Sequence, residues 1–280
     1  MDKLLLVDGS NLLFQMFYGM PARIVGKSGK LIHGTLGFVG ALLKILKMTE
    51  PTHMLVLFDG ECENERKAID EAYKANRPDY SEMAEEETPF CQLPDIYAAL
   101  DYLKIAHTET RTCETDDVIA AYALQNRANM QVVVSSFDSD FFQLVDPNTC
   151  VLRYRGENTL LCDEGYVREK FGVSASRYAD FKSLVGDTAD NVKGVPMVGM
   201  KTAAKLLNEF ESLENLLANT EKIQRAALRN SIEGSRDRLA KNQRLIRLNG
   251  CEEVPFPVGA LRFTYEGQKT GEVLSAIGVK

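Results

Sequence analysis

Tryptophan is absent from this 280-residue chain, and histidine occurs only three times. No two of the six cysteines form a C-x-x-C pair, and with so few histidines this argues against a zinc site of the usual kind. The cysteines stand at 62, 91, 113, 150, 162 and 251. With this spacing we expect them to be small buried apolar residues in a reducing cytosol.

Long apolar runs and an excess of basic residues are also missing. The first apolar run, residues 4–7, is too short for a signal-peptide core, and no later stretch approaches a membrane span. We therefore expect a soluble, cytoplasmic protein with no membrane partner. Acids outnumber bases by 40 to 33, which excludes a histone-like binder but not an enzyme of nucleic acids, because residues 182–247 are locally basic.

Strand and helix patterns alternate along the chain. This alternation predicts an α/β fold with a mostly parallel sheet covered by helices on both faces. Short apolar runs predict strands at residues 4–7, 55–58, 132–135 and 151–154, with helices at 35–48, 95–103 and 115–128. Residues 60–94 interrupt the pattern with ten acids, four bases and three prolines, and are expected to leave the core.

Acidic residues follow the predicted strands. Asp8 and Asp59 come directly after the first two strands, and Asp138 lies in a short turn after the third. In open α/β sheets, ligands bind at the carboxyl ends of the strands, so these acids stand where a site is expected. The full set of candidates is Asp8, Asp59, Glu114, Asp116, Asp117, Asp138, Asp140, Asp187 and Asp190.

Each acid alone has an ordinary explanation. Asp116 and Asp117 suit the first turn of a helix that Thr115 would cap, and Asp140 suits a solvated turn. Brought together, however, such carboxylates repel one another unless divalent cations are bound. Magnesium prefers oxygen ligands, and two ions about 4 Å apart would stabilise both the attacking and the leaving oxygen of a phosphodiester. The acids therefore predict metal-assisted phosphodiester hydrolysis.

Six segments stand out in the order VDGSNLLF (7–14), LFDG (57–60), YKANRP (73–78), CETDDVIAA (113–121), SSFDSDFFQL (135–144) and GDTADNVKGVPMVGMKTAAKLL (186–207). Together they resemble the bacterial 5′–3′ exonuclease and flap endonuclease family, which includes the N-terminal nuclease domain of DNA polymerase I and stand-alone enzymes. The resemblance implies a PIN-like catalytic core at 1–180 with a helical arch inserted at about 60–94. It also implies a helical DNA-binding region at 181–280, with a helix–hairpin–helix at about 186–207.

The resemblance further implies two Mg²⁺ ions, for which Mn²⁺ would substitute. Asp117 and Asp138 are expected to lie between the two ions. Asp8, Asp59, Glu114, Asp116, Asp117 and Asp138 would surround the first ion, and Asp140, Asp187 and Asp190 would serve the second.

The arch segment places Arg66, Asp70, Tyr73, Lys74 and Arg77 at three- and four-residue steps, which predicts one face of a helix. Lys74 and Arg77 would hold the reacting phosphate while Tyr73 stacks on a base. The alternative is an ordinary solvated helix with a partly buried tyrosine. The run at 82–87 is acidic and departs from a purely basic clamp.

The hairpin segment is expected to bind duplex phosphates through Gly194, Gly199, Lys201 and Thr202. In the family this turn often holds a potassium ion through main-chain carbonyls. Here Lys193 replaces a usual proline and Met197 a usual glycine, so Met197 would be strained if its φ is positive. A tight helix–helix connection without DNA contact is the alternative.

The expected function is a structure-selective 5′ nuclease on DNA with 5′ single-strand/duplex junctions, with RNA–DNA hybrids as further substrates. We expect a monomer, with any DNA polymerase acting in trans. A non-catalytic DNA-binding protein on a nuclease scaffold is one alternative, although none of the nine acids is missing. A PIN-type ribonuclease would lack the hairpin, and an aspartate-nucleophile phosphatase would need an acid where Ser10 stands.

Overall fold

The computed structural model describes residues 1–27, 29–60, 65–80, 83–111, 113–248, 250–251 and 253–280. Six of its strands form one sheet in the order β3-β2-β1-β4-β5-β6, in which only β6 is antiparallel to its neighbour. These strands are β1 Lys3–Asp8, β2 His53–Phe58, β3 Ala106–Glu109, β4 Gln131–Ser135, β5 Thr149–Arg153 and β6 Leu160–Cys162. A separate antiparallel pair joins β7 Gly186–Asp187 to β8 Val192–Lys193.

Twelve α-helices surround the sheet in the described part of the chain. They are α1 Gly9–Gly19, α2 His33–Thr49, α3 Glu65–Ile69, α4 Leu93–Tyr102, α5 Thr115–Asn126, α6 Glu164–Phe171, α7 Tyr178–Val185, α8 Met200–Phe210, α9 Leu213–Ala218, α10 Ala226–Glu233, α11 Arg236–Ile246 and α12 Thr270–Ala276. None of the helices within the described ranges is both long and apolar enough to cross a membrane.

The central strand explains why helices cover both faces of the sheet. Successive side chains of a strand point to opposite faces. Leu4 and Leu6 pack into a core with α5 and α7, whereas Leu5 and Val7 pack into a second core with α1, α2 and α4. All four residues are buried completely, as expected for a parallel strand between two helical layers.

The α/β prediction with a mostly parallel sheet is confirmed, and the four predicted strands are present with slightly different ends. Two strands of the main sheet were missed. β3 is half polar in sequence, and β6 is an edge strand whose first two leucines are exposed, so neither has a buried apolar run. Thr115 does not cap α5: Glu114 is the N-cap residue, and the Thr115 hydroxyl meets that of Thr110 at 3.2 Å.

The prediction of one helical face from residue 66 to residue 77 is wrong. Helix α3 ends at Ile69, and Lys74 adopts a positive φ of 57°, which breaks any continuous helix. Residues 61–64 and 81–82 of the expected arch lie outside the described residues, so the acidic run at 82–87 is described only in part.

The expectation for the cysteines also needs correction. Cys113 and Cys251 form a disulfide across 138 residues of sequence, with their Cα atoms 6.5 Å apart. Of the others in the described ranges, Cys162 is buried and Cys91 and Cys150 are half-buried; Cys62 lies outside those ranges. Sequence spacing alone does not reveal such a pairing, because it depends on how the C-terminal segment packs beside α5.

Candidate metal centre and nucleic-acid interface

The first candidate ligand stands at the junction of β1 and α1. Asp8 ends the strand and is also the N-cap of the helix, accepting a hydrogen bond from the Asn11 amide at 2.9 Å. The Ser136 hydroxyl, just beyond β4, donates to the other oxygen of Asp8 at 2.8 Å. The Asn11 side chain in turn accepts from the Phe137 amide at 3.0 Å. These contacts join the ends of two neighbouring parallel strands and fix the Asp8 carboxylate.

Five of the candidate acids, together with Asp79 of the arch segment, line one open cavity of about 920 Å³ at the carboxyl ends of the strands. The Asp59 amide, directly after β2, donates a hydrogen bond to the Ser10 hydroxyl at 2.8 Å, and the Asp138 amide donates to the Ser136 hydroxyl at 3.0 Å. The first acid group consists of Asp8, Asp59, Glu114, Asp116 and Asp138. The predicted convergence of acids at this edge of the sheet is therefore present.

The first acid group carries unfavourable negative charge. Burial, and next the charge of Asp59, raise the pKa of Asp8 to about 7. Burial followed by the charges of Asp138 and Asp8 raises the pKa of Asp116 well above its usual range. A bound cation would relieve both effects, since an opposite charge favours the ionised carboxylate.

The second acid group is Asp140, Asp187 and Asp190. Each offers one carboxylate oxygen, and these oxygens lie within 4.8 Å of one another, a closeness that no other such group in the described ranges reaches. The Asp140 amide donates to Asp138 at 2.8 Å, so the two acid groups adjoin. Asp138 thus connects the two groups, and its expected place between two ions stays a prediction.

Lys182 of α7 contacts the second acid group. Its ammonium group donates to both Asp140 and Asp187. Burial alone would lower the pKa of Lys182, but the two carboxylates raise it above its usual range. In return, Lys182 holds the pKa of Asp187 below its ordinary value against the effect of burial. Asp140 is more deeply buried, and burial raises its pKa to about 7 despite the lysine.

Arg66 at the base of the arch binds the acids of α5. Its guanidinium donates to both oxygens of Asp117, at 2.7 and 2.9 Å, and also to Glu114. Lys74 reaches the other oxygen of Glu114 at 3.1 Å. Asp117 is therefore occupied by a bidentate ion pair and does not line the cavity of the first acid group. Its expected place between two ions stays a prediction.

The next residues of the arch contact the turn between β7 and β8. Arg77 donates to Asp190 at 2.8 Å, and the Tyr73 hydroxyl donates to the same carboxylate at 3.3 Å. Because Tyr73 is only 4% exposed, its ring is not available to a base in this conformation. Tyr73 is thus more deeply buried than in the alternative of a solvated helix with a partly buried tyrosine, and Lys74 and Arg77 face the acids.

The hairpin before α8 requires glycine for close packing. A Cβ atom on Gly194 would lie 2.1 Å from the Val185 carbonyl oxygen. Gly199 is the N-cap residue of α8, followed by the exposed Lys201 and the half-buried Thr202. These four expected DNA-contacting residues therefore lie together on one hairpin and helix start.

Met197 has a φ of 68°, a left-handed value that strains a residue with a Cβ atom, as expected if this position suits glycine. Two hairpin carbonyls already accept hydrogen bonds from side chains, that of Gly194 from Arg238 at 3.0 Å and that of Pro196 from Ser231 at 2.6 Å. A potassium ion bound through this turn would have to share or displace these donors.

Lys182, Ser136 and Asn11 are the site residues that sequence reasoning missed. Lys182 left one usable signal: it stands among the apolar residues of a short helix, between Phe181 and Leu184, where a buried lysine needs a charged partner. The roles of Ser136 and Asn11 depend on the register of β1 and β4, which the sequence does not display.

A family model described as the 5′–3′ exonuclease N-terminal resolvase-like domain matches residues 3–172. A second, the 5′–3′ exonuclease C-terminal SAM fold, matches residues 173–269. The chain belongs to the 5′–3′ exonuclease family. This confirms the family resemblance, whereas the expected division at residues 180 and 181 stays a prediction.

Among curated relatives of the family, DNA polymerase I of Bacillus subtilis is 31% identical over 276 residues, covering 98% of this chain and 30% of the relative. DNA polymerase I of Rhizobium leguminosarum is 35% identical over 268 residues, covering 93% of this chain and 26% of the relative. The chain thus spans between a quarter and a third of the length of these relatives.

Two solved structures have the same fold. A bacteriophage T5 flap endonuclease, solved with DNA and metal ions as a pseudo-enzyme-product complex, aligns with a TM-score of 0.72 at 21% identity over 88% of this chain and 89% of its own. The catalytic core of Rad2 with a DNA substrate aligns with a TM-score of 0.60 at 15% identity, over 99% and 91% of the two chains. At these identities the likeness concerns the fold.

Proposed function

We propose that the protein is a Mg²⁺-dependent 5′–3′ exonuclease and flap endonuclease acting on DNA with 5′ single-strand/duplex junctions. The observation that carries this proposal is the convergence of two adjoining acid groups at the carboxyl ends of β1, β2 and β4. Such a concentration of buried carboxylate, with raised pKa values at Asp8 and Asp116, suits hard divalent ions and oxygen ligands.

The donor set fits magnesium. The ligands on offer are carboxylate oxygens, whereas the three histidines of the chain lie outside both acid groups. The first acid group would hold one ion and Asp140, Asp187 and Asp190 a second. Ions bound there would supply activation of water and stabilisation of charge on the phosphate. The chain's own residues then have to position the phosphodiester at the cavity.

Lys74 and Arg77 are suited to that positioning. Both line the cavity of the first acid group, and both are ion-paired with candidate ligands in the absence of metal. Once metal ions neutralise Glu114 and Asp190, these two cations would be free to contact the scissile phosphate. The 51% exposed side chain of Arg77 is already close to solvent. Tyr73 would position Asp190 through its hydroxyl rather than stack on a base.

The hairpin and α8 are proposed to hold the duplex. Gly199 leaves the amide groups at the start of α8 uncovered by a side chain, and Lys201 adds an exposed positive charge in the first turn. Contacts of this kind bind phosphate without reading sequence. A potassium ion at this turn, RNA–DNA hybrids as substrates, a polymerase acting in trans, a monomeric state and a cytoplasmic location remain predictions.

A 5′-labelled flap duplex tests the proposed function. We expect cleavage near the junction with Mg²⁺, weaker or comparable cleavage with Mn²⁺, and none with EDTA. Asp138→Asn should abolish cleavage, because Asp138 adjoins both acid groups. The matched control is Asp101→Asn, since this carboxylate is 78% exposed and lies outside both groups.

The same assay separates the alternatives. A non-catalytic DNA-binding protein would bind the flap without cutting it under any metal condition. A PIN-type ribonuclease would cut only an RNA substrate of the same sequence, which is tested in parallel. Cleavage that persists in EDTA would contradict a metal-dependent mechanism. Asp117→Ala is informative in addition, because it leaves Arg66 paired with Glu114 alone as well as removing a candidate ligand.

A further inference from the structure

The backbone of Lys182 is anchored beside the acids of the second group. Its helix, α7, is held at Asp180, which bonds to Arg247 at 3.0 Å, and at Ser183, whose carbonyl accepts from Asn242 at 2.9 Å. Lys182 itself is 5% exposed. The packing of α7 against α11 therefore places the start of this side chain next to the acids.

The ammonium group of Lys182 is bound to two of the three carboxylates that a second metal ion would need. Asp140, Asp187 and Asp190 each offer one oxygen within 4.8 Å of the others, and Lys182 donates to Asp140 and Asp187. A divalent ion bound to all three would share those carboxylates with the lysine or displace it. Three adjacent buried carboxylates without a positive partner would destabilise the fold by charge repulsion. The lysine therefore stabilises the metal-free protein.

A neighbouring cavity gives the displaced side chain somewhere to go. An open cavity of about 530 Å³ adjoins the second acid group and is lined by Lys182, Ser139, Asp187 and Gly194, among others. The Ser139 hydroxyl already lies 3.4 Å from the ammonium nitrogen. A lysine side chain is flexible and carries a compact charge, so it can leave a carboxylate by rotation of its stem.

We propose that Lys182 is a resident counter-ion of the second acid group, which competes with a divalent ion for Asp140 and Asp187 and weakens the second metal site relative to the first. The inference rests on the metal centre of the proposed function. According to this inference, an ion enters the second site by displacing the ammonium group of Lys182. Lys182 acts through the acids and is therefore a positioning residue.

Calorimetric titration with Mn²⁺ tests the exchange without measuring cleavage. We compare the unmodified protein with Lys182→Met, which keeps an unbranched side chain without the charge. Mn²⁺ should bind about tenfold more tightly to the weaker class of sites in this variant. The reason is that the ion no longer has to break a charged hydrogen bond between the lysine and a carboxylate. Lys205→Met, at an exposed position of α8, is the matched control and should leave both affinities unchanged.

Unchanged or weaker Mn²⁺ binding at that site in Lys182→Met would overturn the inference while leaving the metal centre standing. Absence of Mn²⁺ binding in all three proteins would overturn both. The double variant Lys182→Met with Asp187→Asn should lose the gain in affinity, because one of the contested carboxylates is gone.

Acylation of lysines in the unmodified protein gives a second measurement, which does not depend on a variant that folds. Treatment with acetic anhydride and peptide mass spectrometry should find Lys182 protected in EDTA and several-fold more reactive at saturating Mg²⁺, while Lys205 reacts equally in both. Continued protection of Lys182 at a Mg²⁺ concentration that fills both sites would overturn the exchange.

Discussion

Replacing Asp8 with asparagine should stabilise the metal-free protein while removing a proposed metal ligand. Asp8 is 6% exposed, and burial together with Asp59 raises its pKa from an ordinary value of 3.8 to about 7. A group that is harder to ionise in the folded state destabilises that state once the pH is high enough to ionise it. Asparagine keeps the N-cap acceptor for the Asn11 amide but carries no charge.

The size of the effect follows from the shift in pKa. Each pKa unit is about 1.4 kcal/mol, so ionising Asp8 costs the folded protein up to roughly 4 kcal/mol at pH 8. The asparagine amide cannot accept the hydrogen bond that Ser136 donates to the second oxygen, which loses about 1 to 2 kcal/mol. The net expectation is a gain of about 2 kcal/mol for Asp8→Asn at pH 8.

The dependence on pH has a definite sign. Because the pKa of Asp8 is raised by folding, its favourable contribution is fully present below about pH 4 and is lost as the pH rises to about 7. Burial raises the pKa of Asp140 to about 7 as well, so both carboxylates act in the same window. The advantage of Asp8→Asn should therefore be present at pH 8 and absent at pH 5.

Urea unfolding followed by far-ultraviolet circular dichroism measures this difference, since the chain has no tryptophan to report. The measurement is made in EDTA at pH 5 and pH 8, with Asp101→Asn as the control. Added Mg²⁺ should stabilise the unmodified protein more than Asp8→Asn. A variant less stable than the unmodified protein in EDTA at pH 8 would refute the electrostatic reasoning, as would a gain that is equal at both pH values.

Three further predictions concern the hairpin and the disulfide. Gly194→Ala places a Cβ atom against the Val185 carbonyl and should lower the free energy of unfolding by about 2 to 4 kcal/mol in thermal denaturation; an unchanged midpoint would contradict the close approach. Lys201→Ala should reduce the salt dependence of duplex affinity by about one counterion, and an unchanged slope would show that it is not a phosphate contact. Cys113 and Cys251 should be alkylated only after reduction, and labelling of both without a reductant would contradict their pairing.

The core of the fold is predictable because its strands have a plain physical signature. β1 is a run of apolar residues that ends in Asp8, and its burial between two helical layers requires such a run. β3, with the sequence AHTE, has no comparable apolar run. It is an edge strand that pairs only with β2 and is never fully buried. Edge strands such as β6 are missed for the same reason.

The candidate site divides in a similar way. Acids at the ends of parallel strands must converge, so Asp8, Asp59 and Asp138 could be grouped from the sequence. The ion pairs of Arg66 with Asp117 and of Lys182 with Asp187 could not, since they depend on side-chain directions and on tertiary packing. The spacing of residues 66–77 predicts one helix, whereas Lys74 takes a left-handed backbone conformation that ends any such helix.

The central claim is that two adjoining acid groups make this chain a metal-dependent 5′ nuclease. Single-turnover cleavage of a 5′-flap duplex by the unmodified protein and by Asp116→Asn, each with Mg²⁺ and with EDTA, tests it most directly. We predict a 5′-phosphate product near the junction only for the unmodified protein with Mg²⁺. Equal cleavage by Asp116→Asn, or cleavage in EDTA, would contradict it.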